Sequence, residues 1–295
     1  MKFNLIIDSN LELIETPVWD KRLSCLYWTD LFSGDVHAFT PADKKDKAYP
    51  TGKMIGAAIP TSDPNIILCS LENGLHLLNK ESGEVKFLVN PEPGRDENRF
   101  NDTRVDAAGR VLMSSVSKKY GTPDYKPDML GGFYMIDTDG SVKTIEKEIN
   151  QYNAIVWNKD NTKMFVVDTY NECLMVYPYD LAKGPTGTGS VAIRFGELGM
   201  PDGMSIDSED NLYVCHWTKQ VSVWSPEYQR IKTIALPVEY ACCTGFGGED
   251  MKDLYLATSK YCYTAEQLKE NPGAGGMFVA RNDIAGKADN FYSIR

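Results

Sequence analysis

The chain has 295 residues, with 31 Lys and Arg against 41 Asp and Glu, a formal net charge of −10. That acidic balance excludes a nucleic-acid binder, which needs a basic face for phosphates. It suits a protein that handles small molecules, and a bound cation would offset part of the charge.

In chain order, the first segment, "MKFNLIIDSN", carries one short apolar run. The run is too short for a secretory signal, and no later stretch could span a bilayer. The seven Cys are odd in number and scattered, without CxxC spacing, so the expected compartment is a reducing cytoplasm. Neither a membrane nor nucleic acid is expected as a partner, and the oligomeric state is left open.

From Pro17 onward one pattern recurs: a short apolar strand, a polar turn, a β-rich strand, another turn, a third strand. Copies begin near Pro17, Ala57, Thr103, Ala154, Gly203 and Thr244. The turns "DKRLS", "DAAGR", "NKDNT" and "DSEDN" echo one another. Helical periodicity is confined to Thr264–Asn271. Six copies at roughly 40–50 residues each match propeller blades. The sequence therefore predicts an all-β fold, a six-bladed β-propeller of four-stranded antiparallel blades, as a single domain over residues 1–295. The fourth strand of each blade is the poorly marked one.

Aligning the copies on Trp19, Ile59, Val105, Trp157, Ile206 and Phe246 and stepping back four residues gives Glu15, Ile55, Asn101, Asn153, Asp202 and Cys242. First strands of propeller blades line the central channel, so these positions should form a ring at one depth. Two carboxylates and two amides there would suit a hard divalent cation, which also removes the repulsion between the carboxylates. The second strands end at Asp30, Ser115, Asp168 and His216. Antiparallel pairing brings those ends to the same mouth, where Asp30, Asp168 and His216 are candidates for supporting contacts.

The stretches "ETPVWD", "RFNDTRVDAAGR", "YNAIVWN", "MPDGMSID" and "AGGMFV" resemble the regucalcin/gluconolactonase family of six-bladed propellers, which includes senescence-marker protein and luciferin-regenerating enzyme. The resemblance runs from about Ile14 to the C-terminus. It implies one divalent metal on the axis (Ca, Zn, Mn, Mg or Fe), held by Glu15, Asn153 and Asp202, with Asn101 binding directly or through water. It also implies Arg99 and Asn101 as substrate contacts and a lactone, commonly a sugar lactone, as substrate. The metal would polarise the lactone carbonyl, and Asp202 would activate the attacking water.

The sequence departs from the family pattern after the third blade's second strand. Ser117, Lys118 and Lys119 stand where an acidic residue is common, and the next acid is Asp124. Lys119 could meet an anionic substrate or simply be solvated. Two other activities fit the same ring: a phosphotriesterase-like hydrolase and a non-catalytic calcium-binding regulatory propeller. A Ser nucleophile has little support, because no GxSxG occurs and the three His lie in separate strands.

Overall fold

The computed structural model describes residues 1–119 and 128–294; Asp124 lies outside the described residues. It is a six-bladed β-propeller of antiparallel sheets with very little helix. Blade 1 runs Ile14–Asp20, Cys25–Asp30, Asp35–Thr40 and Lys45–Pro50 from the axis outward. Blades 2 to 5 begin with the inner strands Ile55–Pro60, Asn98–Val105, Tyr152–Trp157 and Pro201–Ile206. Blade 6 begins with Ala241–Gly247, and each inner strand packs on the next until the sixth returns to the first.

Inner strands are buried on both faces, so they read as continuous apolar runs: Tyr152–Trp157 is buried throughout. Outer strands have little to cover. Lys45–Pro50 is almost wholly exposed, which is why such strands carry weak sequence signals. Blade 6 takes its outer strand from the other end of the chain. Asn4–Ile7 pairs with Met277–Arg281, a long-range pairing that no local pattern announces. The short helical stretch forms Ala265–Glu270. Thr264 accepts from the Gln267 backbone and the Gln267 side chain returns the bond, a capping box.

Every inner strand slips register against its second strand at the ring position. The slips fall at Glu15/Val18, Ile55/Ala57, Phe100/Thr103, Asn153/Ile155, Pro201/Met204 and Ala241/Cys243. A bulge adds a residue, twists the strand and re-aims a side chain. Here six bulges act at one depth, on the residues that repeat alignment singles out. The residues just after two ring positions, Thr16 and Ala154, adopt φ of 53° and 40°. Such non-glycine conformations cost about 1–3 kcal/mol each and need support. The Ala154 N–H donates to Asp102 Oδ2 at 2.7 Å, and Thr16 Oγ1 donates to the Gly56 carbonyl at 3.0 Å. Gly56 itself permits close approach: a Cβ there would lie 2.2 Å from the Asn101 carbonyl oxygen.

The channel is closed at the end opposite the ring. The segment after Arg281 crosses it, forming bridges from Gly286 to Asp207 and from Tyr292 to Thr61. Lys287 Nζ donates to the carbonyls of Trp157 and Asn158, both at 2.9 Å. Asp289 lies 3.8 Å from Arg104, whose Nη1 also meets Asp102 at 2.8 Å. A residual cavity of about 30 Å³ remains beneath this segment.

Candidate active site at the open mouth of the channel

At the ring end a cavity of about 350 Å³ opens above the inner strands. Glu15, Asn101, Asn153 and Asp202 line it, together with Arg99. Four residues from four blades thus converge because their strands bulge at one depth. Ile55 and Cys242 are fully buried and absent from the lining.

The polar groups form a chain. Arg99 Nη1 donates to Asn101 Oδ1 at 2.8 Å. Asn101 Nδ2 donates to Asn153 Oδ1 and to the Tyr152 carbonyl. Asn153 Nδ2 donates to Thr169 Oγ1 at 2.8 Å. Both amide oxygens keep a second lone pair for a further ligand. Asp202 Oδ2 accepts from Trp217 Nε1 at 2.8 Å.

Burial pushes the Asp202 carboxyl up to about 7; the Trp217 bond and the Arg99 charge offset part of this, while Asp102 adds to it. Burial also raises Glu15 well above the usual carboxylate range, with Asp202 and Asp102 adding repulsion. A carboxylate O of Glu15, one of Asp202 and the Sγ of Cys242 all lie within 4.8 Å of one another, a grouping that could hold a metal ion. The donor set fits a divalent cation: acidic oxygens in excess of nearby positive charge, amide oxygens alongside, and one soft sulfur.

The second-strand candidates sit elsewhere. Asp30 Oδ1 accepts from the Phe32 backbone, and Asp168 is engaged by the backbone and side chain of Asn171. His216 is enclosed between the Gly199 carbonyl and Ser222 Oγ, and burial lowers its imidazole to about 4. None of the three lines the cavity. Their immediate successors Leu31, Thr169 and Trp217 do. Side chains alternate along a strand, so a one-residue difference selects the opposite face. Lys118 reaches the cavity, whereas Lys119 is not among its lining residues. The Lys118 ammonium lies 3.2 Å from Glu72.

Six blades surround an acidic pocket built on bulges in their inner strands. Residues 13–260 match the model of the SMP-30/Gluconolactonase/LRE-like region, and the chain belongs to that family. A 6-deoxy-6-sulfogluconolactonase of Pseudomonas putida is 29% identical over 287 residues, covering 95% of this chain and 94% of that protein. Regucalcin of Danio rerio is 28% identical over 285 residues, covering 94% and 93%. The solved structure of a calcium-binding regucalcin from Agrobacterium tumefaciens superposes with a TM-score of 0.91 at 23% identity, covering 98% and 97%. Among the described residues no helix is long and apolar enough to cross a membrane.

Proposed function

We propose that the protein hydrolyses a lactone, of the sugar-lactone type its relatives are named for, at the Glu15–Asp202 end of the channel. The observation that carries this reading is Asp202. It is a buried carboxyl held by Trp217 through one oxygen, close to Glu15 and beside an Arg99–Asn101–Asn153 chain in a cavity of substrate size.

Glu15, Asn153 and Asp202 would hold a divalent cation, with Asn101 reaching it directly or through water. Bound there, it supplies Lewis acidity toward the lactone carbonyl oxygen. Asp202 takes a proton from the attacking water as the new C–O bond forms at the carbonyl carbon. The ring C–O bond then breaks, and the proton passes to the leaving alkoxide. Arg99 and Asn101 orient the ring by hydrogen bonds, which lowers the entropic part of the barrier. Glu15 contributes negative charge rather than proton transfer.

The test is hydrolysis of a panel of aldonolactones by metal-loaded and chelator-treated protein, with Asp202→Ala alongside. Rates unchanged by chelation or by Asp202→Ala would overturn this mechanism. A non-catalytic calcium-binding role is the second reading, favoured by the Agrobacterium tumefaciens neighbour, which is described as a calcium-binding protein. It predicts calcium binding with no turnover of any lactone.

A further inference from the structure

The cavity has two unlike walls. Blades 3 and 4 supply mainly polar side chains, among them Arg99, Asn101, Asn153 and Thr169, with Tyr170 the exception. Around the ring from them, blades 6, 1 and 2 supply Leu13, Leu31, Phe32, Met54 and Tyr261. Leu13 and Leu31 form a buried cluster with Cys242, and Met54 and Tyr261 pack against it. The apolar surface is therefore continuous from the axis, beside Glu15 and Asp202, up to the rim.

Phe32 completes this wall. It is 41% exposed, with its ring centroid 5.1 Å from that of Tyr261. Its loop is tied down on three sides. The Phe32 N–H donates to Asp30, the Leu31 N–H to the Leu13 carbonyl, and the Ile55 N–H to the Leu31 carbonyl. An aromatic ring held in place and left facing a cavity carries a hydration cost unless something apolar covers it. On the polar side the Lys118 ammonium is turned toward Glu72, at 3.2 Å, and the Arg99 guanidinium toward Asn101.

A free aldonolactone carries a hydroxyl on nearly every ring carbon. Hydroxyls turned to the Leu13–Leu31–Met54 surface would lose water and gain no partner. A flat apolar substituent would lose nothing there and would stack on Phe32 and Tyr261. We propose that the preferred substrate is a lactone bearing an aryl or similarly flat apolar substituent, seated against Phe32 and Tyr261, with its lactone ring on the Arg99–Asn101 side. This rests on the hydrolase reading above and narrows its substrate.

The experiment compares the metal-loaded full chain on a phenyl-substituted δ-valerolactone and on gluconolactone, each kcat/KM divided by the spontaneous rate constant. The phenyl lactone is expected to lead by tenfold or more, and Phe32→Ala to cut that ratio about tenfold, mainly through KM, with Phe32→Leu recovering part. Equal or better use of gluconolactone, or a ratio unmoved by Phe32→Ala, overturns the proposal. Binding of the matching phenyl-substituted lactam is followed by calorimetry in the same proteins. Lactam binding that Phe32→Ala weakens, with no lactone turned over, would support the apolar subsite and strike only the hydrolase reading. Turnover of gluconolactone without lactam binding would strike only the subsite.

Discussion

The two ends of the channel hold buried charge in opposite ways. At the closed end Arg104 stands between Asp102 and Asp289, and those charges keep its guanidinium protonated against the cost of burial. Lys287 commits its ammonium to two carbonyls. At the open end Glu15 and Asp202 lie close together, and Arg99 only partly offsets what burial and mutual repulsion do to them. Charge matched within the chain is architecture. Charge left mismatched beside a cavity is capacity for a ligand.

The contrast can be broken first at the open end. Asp202→Asn keeps the shape and the Trp217 neighbour but removes the base, and lactone hydrolysis should fall by roughly a thousandfold or more. Initial rates on the best lactone check this, with thermal unfolding as the control for folding. At the closed end Arg104→Met should leave Asp102 and Asp289 without their cation. Removing one partner of a buried pair costs about 3–5 kcal/mol, visible in urea unfolding.

Cation binding should show the mismatch directly. The Asp202 carboxyl sits in the folded protein at about 7, above its ordinary value. A raised folded value favours the protonated form, so its contribution to stability is present below the ordinary carboxylate range and lost as pH rises toward 7. A cation that replaces the proton restores it. The stabilisation by a fixed concentration of divalent cation, followed by thermal unfolding, should grow from pH 5 to pH 8, reaching about 2.7 kcal/mol where that concentration is a hundredfold over Kd. A flat profile would place the cation away from Asp202. The smallest effect belongs to Lys287→Ala. It should cost about 2 kcal/mol, as two charge-assisted bonds are lost, while turnover at the far end stays within twofold.

Much of this was legible in the sequence, and the reasons differ by residue. The ring was readable because Glu15, Asn101, Asn153 and Asp202 occupy equivalent positions in repeats, so alignment stands in for geometry. On the second strands the sequence pointed to Asp30, Asp168 and His216, whereas the side chains that line the cavity are the next ones along, Leu31, Thr169 and Trp217. Strand parity is fixed by exit from the sheet, and a polar residue ending a strand serves equally as a cap for the next turn. Trp217 could have been found by reading one residue past "YVCH", where the chain turns to the other face. Asn4–Ile7 and the segment over the closed end were not legible at all. Their partners lie far away in sequence, and no local pattern encodes such pairings.

The strand Asn4–Ile7 has a consequence for how the molecule is made. It is synthesised long before its partner Met277–Arg281, with five blades between them. Blade 6 therefore waits for almost the whole chain, and until it closes, Met277–Arg281 presents an open edge able to pair with a neighbouring molecule. The same few residues that complete the ring also act as its guard, and shortening the chain by its first strand should show as concentration-dependent aggregation on refolding rather than as a gentler loss of stability.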